Sequence, residues 1–198
     1  MQDSEDRSQR HSAIVARELA RLDIDIAALS EVRFAKQGSV KEDRAGYNLL
    51  WSGKNKDDRR LSGVGFMIKT SIARKLQDLP VGHLDRIMSL RLLIEDNKFA
   101  TVLSVYAPTL QAETGVKEAF YRDLHNLLQQ ADSKDKLLIL GDFIARVGRD
   151  FELRKGVLGR YGIGNCNVNG RLLLEFCSEL FQQKDGFKAT WRHPRSKH

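Results

Sequence analysis

Short apolar runs recur in pairs along this chain, and their recurrence limits the fold more than any other feature. Tyr47–Ser52 and Val64–Lys69 flank a polar loop, and Ile87–Glu95 and Phe99–Tyr106 flank an Asp-Asn turn. Pairs with this spacing predict β-hairpins, whose strands run antiparallel. The continuous apolar run Leu137–Leu140 predicts a further strand, central in its sheet.

Helical patterns alternate with these strands. The apolar periodicity predicts helices over about residues 10–22, 115–131 and 170–181, with a buried strand at 24–29 after the first helix and a last strand at 187–191. The predicted inward faces hold Ile14, Val15, Leu19 and Leu22, then Val116, Phe120, Leu124, Leu127 and Leu128, then Leu172, Leu173, Phe176, Cys177 and Leu180. Strand pairs with helices between them predict an α+β domain, with stacked β-sheets inside and helices outside.

The composition is typical of a globular protein. Of the 198 residues, 41% are hydrophobic and 30% are charged, which fits one domain with a core at about residues 10–191. The polar segments 1–9 and 192–198 are predicted to be flexible. No signal peptide or membrane span is recognisable, which predicts an intracellular protein of the nucleus or cytoplasm with no membrane partner. Cys166 and Cys177 are expected to be reduced.

The chain is basic. Lys and Arg number 33 against 26 acidic residues, giving a net charge of +7. A basic surface favours the approach to phosphate backbones, so DNA is a candidate partner, although ordinary solubility charge explains the total equally well. The sequence indicates no particular protein partner.

Polar side chains stand where three of the apolar runs stop. Glu31 follows the run at 24–29, Tyr106 ends its strand before Ala-Pro, and Asp142 follows a glycine after Leu137–Leu140. Carboxylates at strand ends can hold a hard ion such as Mg²⁺ or orient an attacking water, and a tyrosine can donate to a phosphate oxygen. Each residue also has a simpler explanation, namely a loop boundary, a packed aromatic ring and an Asx turn, respectively.

Taken together, these segments resemble the endonuclease/exonuclease/phosphatase superfamily. Asp25–Arg33 resembles its D-I-x-x-L-x-E segment, Ser104–Pro108 its tyrosine strand and Leu138–Phe143 its G-D-F-N strand. Further segments are similar to the apurinic-type endonuclease domains of RTE-clade non-LTR retrotransposons and to host proteins derived from them, the craniofacial development protein 2-like group. These segments are Trp51–Lys54, Gly63–Phe66, Tyr106–Thr109, Ala145–Gly148 and His193–His198.

The resemblance implies a four-layer α/β/β/α sandwich of the DNase I type, with two mainly antiparallel sheets. It also implies that Glu31 is the ligand of a Mg²⁺ or Mn²⁺ ion, that Tyr106 contacts the phosphate, and that Asp142 positions or deprotonates the attacking water. Trp191 is implied to lie near the nucleic-acid face, while a place in the core or at the rim explains this residue equally well.

Departures from the family pattern predict that metal binding and catalysis are weakened or absent. Ile144 replaces the asparagine of G-D-F-N, whose amide orients the phosphate. The family's opening asparagine strand and its late Asp-His pair are also missing from this sequence, so a domain truncated at both ends is expected. The predicted function is a retrotransposon-derived endonuclease domain, ancestrally Mg²⁺-dependent and DNA-cleaving, with lost or much reduced activity. The alternatives are a non-catalytic domain that binds nucleic acid or protein, and a remnant with no selected role.

Overall fold

The computed structural model describes residues 2–55, 62–154 and 156–183, which form eight strands, four α-helices and one 3₁₀-helix. In chain order these are α1 (Gln2–Arg21), β1 (Ile26–Ser30), β2 (Gln37–Glu42), β3 (Tyr47–Ser52), β4 (Val64–Lys69), α2 (Thr70–Ala73), β5 (Val81–Leu84), β6 (Ile87–Glu95), β7 (Lys98–Tyr106), α3 (Thr114–Gln130), β8 (Lys136–Asp142), η1 (Phe151–Arg154) and α4 (Val168–Gln183).

The strands form two four-stranded sheets. The first sheet has the order β1-β4-β3-β2 and is antiparallel throughout. The second has the order β5-β6-β7-β8, in which β7 and β8 run parallel and the other pairs antiparallel. Both predicted hairpins are confirmed, with Tyr47 opposite Lys69 in the first sheet and Ile87 opposite Val105 in the second.

Three apolar clusters separate the layers. Phe66 of the first sheet packs with Leu90 of the second in the cluster between the sheets. Ala16 of α1 packs on the outer face of the first sheet, and Leu124 of α3 and Leu180 of α4 pack on the outer face of the second. The predicted four-layer α/β/β/α sandwich, with two mainly antiparallel sheets, is therefore confirmed.

The crossover from β7 to β8 brings two polar residues to one edge of the second sheet. Because α3 returns the chain across the sheet, β7 and β8 run in the same direction and end together. Tyr106, the last residue of β7, consequently lies opposite Asp142, the last residue of β8.

The inward faces of two helices differ from the prediction. Val116 is exposed, whereas the neighbouring Lys117 is buried and its ammonium group donates to the Leu110 carbonyl at 2.7 Å. Ile14 of α1 and Leu22, which directly follows the helix, are also exposed. The prediction was wrong at these apolar positions because periodicity locates a stripe, whereas its margins depend on the surface that the helix covers.

Other boundaries also differ from the prediction. α1 begins at Gln2, where a flexible segment was predicted, although flexibility itself stays a prediction. The sequence did not reveal β2, β5 and α2. Within the described residues β8 is the last strand of its sheet rather than a central one, and the strand predicted at 187–191 lies outside those residues. No helix in the described ranges is both long and apolar enough to cross a bilayer.

Both cysteines are free thiols in the structure. Cys177 packs against the cluster under α4, in agreement with its predicted inward position, and this burial raises the pKa of its thiol to about 11. Cys166 is exposed on the loop before α4. Because a protonated thiol is a poor nucleophile, Cys177 is a packing residue.

Candidate active site

Hydrogen bonds between the two sheets align the end of β1 with the end of β7. Ser104 Oγ donates to the Leu29 carbonyl at 3.4 Å, and Ser30 Oγ donates to the Val105 carbonyl at 3.5 Å. Both bonds link the layers within the last three residues of each strand. As a result, the residue that follows β1, Glu31, lies beside the last residue of β7.

Glu31 and Tyr106 are in direct contact. The Tyr106 hydroxyl donates to Glu31 Oε1 at 2.8 Å, although the two residues are 75 positions apart in the chain. The tyrosine is only 4% exposed. Burial raises the pKa of Tyr106, and the negative charge of Glu31 raises it further, so the hydroxyl stays protonated and acts as a donor at neutral pH.

Arg33 holds the other oxygen of the Glu31 carboxylate. Its Nη2 donates to Oε2 at 2.6 Å, and the two side chains are 62% and 42% exposed, respectively. The bond to Arg33, followed by that from Tyr106, lowers the pKa of Glu31. Glu31 and Arg33 both have left-handed backbone, with φ of 55° and 56°. The carboxylate is therefore ionised at neutral pH, with a protein donor on each oxygen.

Asp142 reaches the same edge through a glycine that no other residue can replace without strain. Gly141 has φ of 147°, and a Cβ there would lie 1.9 Å from the Val105 carbonyl oxygen. Asp142 Oδ1 accepts a hydrogen bond from the Ile144 backbone N–H at 2.8 Å. The carboxylate thus forms the Asx-type turn that was one alternative for this residue, and it remains exposed to solvent.

Ile144 has a backbone conformation that suits asparagine better than isoleucine. Its φ is 47°, in the left-handed region that β-branched residues rarely adopt and that asparagine tolerates. The side chain packs at the margin of the cluster between the sheets and contributes no polar atom. The turn after Asp142 therefore keeps a polar residue's geometry while carrying an apolar side chain.

Arg86 supports the tyrosine from its other side. The guanidinium lies 5.1 Å from the centre of the Tyr106 ring and donates to the carbonyls of Tyr106 and Ala107 at 3.2 and 3.1 Å. Sequence reasoning did not identify Arg33 or Arg86 as part of the site. The only signal in the sequence was that Arg33 lies two residues after Glu31. The left-handed backbone that brings the side chains of Glu31 and Arg33 together cannot be read from the sequence.

The structure thus brings together Glu31, Tyr106 and Asp142. The charge of Asp142 contributes to the raised pKa of Tyr106, as does that of Glu31. The catalytic and metal-binding roles of these residues stay predictions. Trp191 lies outside the described residues, so its predicted place near the nucleic-acid face also stays a prediction.

The donor set fits a loosely held divalent ion rather than a dedicated cage. Within residues 2–55, 62–154 and 156–183, no three His, Cys, Asp or Glu side chains form a group that could hold a metal. Mg²⁺ is commonly bound by one or two carboxylates and several waters, a role that the half-exposed Glu31 carboxylate fits. An ion on Oε2 would have to displace Arg33.

Comparison with known proteins gives a family and two curated relatives. The model of the Endonuclease/Exonuclease/phosphatase family matches residues 2–143. Craniofacial development protein 2 from Bos taurus is 33% identical over 190 residues, which cover 91% of this chain and 31% of that protein. The protein of the same name from Tragulus javanicus is also 33% identical, with 91% and 32% covered. The chain therefore spans about a third of the length of these relatives.

A solved structure has a similar fold. The AP endonuclease LMAP from Leishmania major superimposes with a TM-score of 0.50 and 14% sequence identity, covering 87% of this chain and 62% of that chain. At this identity the similarity concerns the fold alone. It agrees with the two stacked sheets and flanking helices described above.

Proposed function

Because this chain belongs to the endonuclease/exonuclease/phosphatase family, we propose that it binds DNA and that its metal-dependent hydrolysis of phosphodiester bonds is much reduced or lost. The family is generally metal-dependent. The observation that carries the proposal is the hydrogen bond of 2.8 Å between Tyr106 and Glu31, next to Asp142 on the neighbouring strand. This bond joins a carboxylate that follows a strand of one sheet to a tyrosine that ends a strand of the other.

Each residue has a task that its surroundings support. Glu31 would hold Mg²⁺ or Mn²⁺, which when bound would neutralise charge on the phosphate. Tyr106 stays protonated and can donate its hydroxyl proton to a phosphate oxygen. Asp142 keeps an exposed carboxylate at a fixed turn, where it can accept a proton from water or orient it.

Ile144 is the reason to expect weak catalysis. An oriented polar donor at a phosphoryl transition state contributes roughly two to three orders of magnitude in rate, and isoleucine supplies none. The isoleucine at this position also favours the second candidate, a domain that binds nucleic acid without cutting it.

We further attribute the chain to the retrotransposon endonuclease lineage, on the strength of the motifs around Trp51, Gly63, Tyr106 and Ala145.

The test is an assay of plasmid nicking and oligonucleotide cleavage by the purified chain, with Mg²⁺ or Mn²⁺ and with chelator. We expect slow, metal-dependent cleavage that the Asp142→Ala variant lacks, together with DNA binding that weakens as salt increases. Binding without any cleavage above Asp142→Ala would favour the non-catalytic candidate. Failure to bind DNA even at low salt would overturn both.

A further inference from the structure

The loop between β8 and α4 presents two large apolar side chains to solvent. Tyr161 is 95% exposed and Ile163 is 86% exposed, the highest values among the large hydrophobic residues that the structure describes. Full burial of such a side chain is worth about 1.5–3 kcal/mol. Two such side chains, separated by one residue in the same loop, form a candidate contact surface.

Within this loop, the part near Tyr161 and Ile163 is held against the part that directly follows Asp142. The Asn167 backbone N–H donates to the Arg146 carbonyl at 2.9 Å, and Arg146 N–H donates back to Asn167 Oδ1 at 3.1 Å. The loop approaches so closely at Gly162 that a Cβ there would lie 1.9 Å from the Gly148 carbonyl oxygen. Arg146 and Gly148 come four and six residues after Asp142, so the part of the loop near Tyr161 and Ile163 is anchored near the candidate active site.

The distance between Asp142 and Gly148, where the loop is anchored, is short enough for one strand of nucleic acid to reach both. Six residues span at most about 22 Å, even when fully extended. At about 3.4 Å per stacked nucleotide, this corresponds to roughly six nucleotides. A strand with a phosphate at Asp142 could therefore present a nearby base to the loop.

The charge of the loop indicates the chemistry of the partner. Residues 144–167 contain five basic and two acidic residues. The Arg160 guanidinium lies 5.4 Å from the centre of the Phe151 ring. Basic side chains interleaved with exposed apolar ones match nucleic acid, whose phosphates attract the first group and whose base faces attract the second. An apolar protein surface would gain nothing from the excess positive charge.

We propose that Tyr161 and Ile163 form a base-contacting wedge, in which Tyr161 stacks on an unpaired base and Ile163 packs beside it. The proposal rests on the proposed function, since the DNA is the strand bound at Glu31, Tyr106 and Asp142. The occupant is single-stranded or locally unpaired DNA, because a continuous duplex hides its base faces.

The test measures the affinity of the full chain for a fluorescein-labelled single-stranded oligonucleotide and its duplex by anisotropy, over a series of salt concentrations. Tyr161→Ala is expected to weaken single-strand binding about tenfold, and Tyr161→Phe, which keeps the ring, to change it less than about twofold. Ile163→Ala is expected to have a smaller effect than Tyr161→Ala. The salt dependence should not change, since no phosphate contact is removed.

The matched control is Ile94→Ala. Ile94 is 49% exposed at the far end of β6, away from Tyr106, so its truncation should leave DNA affinity unchanged. Thermal unfolding of Tyr161→Ala should match that of the unmodified chain, because the side chain makes little contact with the fold.

The outcomes separate this inference from the proposed function. If the unmodified chain does not bind DNA, the proposed function fails, and the wedge fails with it. If the chain binds DNA and Tyr161→Ala binds equally well, the wedge alone is overturned. The same holds if Tyr161→Phe is as weak as Tyr161→Ala, or if sedimentation shows a self-association that Tyr161→Ala abolishes without affecting DNA binding.

Discussion

Two arginine–carboxylate pairs lie near opposite ends of β8. Near its first residue, Arg91 donates two hydrogen bonds of 2.7 and 2.9 Å to Asp135, and Thr101 Oγ1 donates a third at 2.9 Å. Near its last residue, Arg33 makes one bond to Glu31. The Asp135 side chain is 3% exposed, whereas that of Glu31 is 42% exposed.

This difference makes Arg91–Asp135 a structural pair, whereas the Glu31 carboxylate can exchange Arg33 for another partner. The Arg91 guanidinium also lies 3.8 Å from the centre of the Phe99 ring, so Asp135 meets a partner that is fixed in place. A bidentate, buried carboxylate cannot change partners without leaving charges unpaired. An exposed pair with one bond contributes little to stability, so its carboxylate can release the arginine and accept an ion.

The largest effect is expected at Ile144, whose side chain we hold responsible for weak catalysis at the candidate active site. Ile144→Asn restores an amide and suits the left-handed backbone, so we expect the rate of DNA cleavage to rise roughly 100- to 1,000-fold. Plasmid nicking with Mg²⁺ measures the change. Ile144→Ala is the control, because it removes the branched side chain without adding a donor. Equal rates for the two variants would contradict the role assigned to position 144.

The second prediction compares the two carboxylates by truncation. Asp135→Ala should lower the free energy of unfolding by about 2 kcal/mol, since it leaves Arg91 and Thr101 without their acceptor. Glu31→Ala should lower it less, because Arg33 is exposed to water and the Tyr106 hydroxyl is the one buried donor that loses its acceptor. Urea unfolding of both variants measures the difference. Similar losses for both would remove the distinction between the pairs.

The third prediction concerns acid stability. Hydrogen bonds from Arg91 and from Arg33 lower the pKa of Asp135 and Glu31, respectively, from their ordinary values of 3.8 and 4.5. A depressed pKa in the folded state gives stability that is fully present above the ordinary pKa and is lost as the pH falls through the folded value.

Unfolding midpoints measured from pH 6 to pH 3 test this sign. The fall in stability should be reduced in Asp135→Asn and less so in Glu31→Gln, because the Asp135 carboxylate has the more buried and better bonded position. A steeper acid loss in either variant than in the unmodified chain would contradict the direction of that residue's pKa shift.

The smallest expected effect concerns metal affinity. Arg33→Ala removes the cation that an ion must displace from Glu31, so Mn²⁺ should bind more tightly by up to about fivefold. Calorimetric titration measures the binding without reference to activity. Arg21→Ala is the matched control, because it breaks an exposed pair with Glu18 within α1. Weaker binding in Arg33→Ala would show that the arginine supports the ion site instead.

Much of the scaffold could be predicted because its signals are local. The bounds of β3 and β4 matched their apolar runs, and α3 and α4 began within two residues of the predicted positions. β2 and β5 were missed because Gln37–Glu42 and Val81–Leu84 carry few apolar residues and are held by their neighbours in the sheets. The three strand-end residues were predicted because polar side chains interrupt apolar runs at those places.

By itself, the sequence determined most of the strands and helices, the order of the layers, and the identity of Glu31, Tyr106 and Asp142 as residues of interest. Local periodicity and turn chemistry encode these features. Tertiary structure decided that Arg33 donates to the Glu31 carboxylate, that the Arg86 guanidinium packs against the Tyr106 ring, and that Ile144 has a left-handed backbone. Such contacts depend on dihedral angles and on distances between segments far apart in the chain, which follow only when the two sheets have packed.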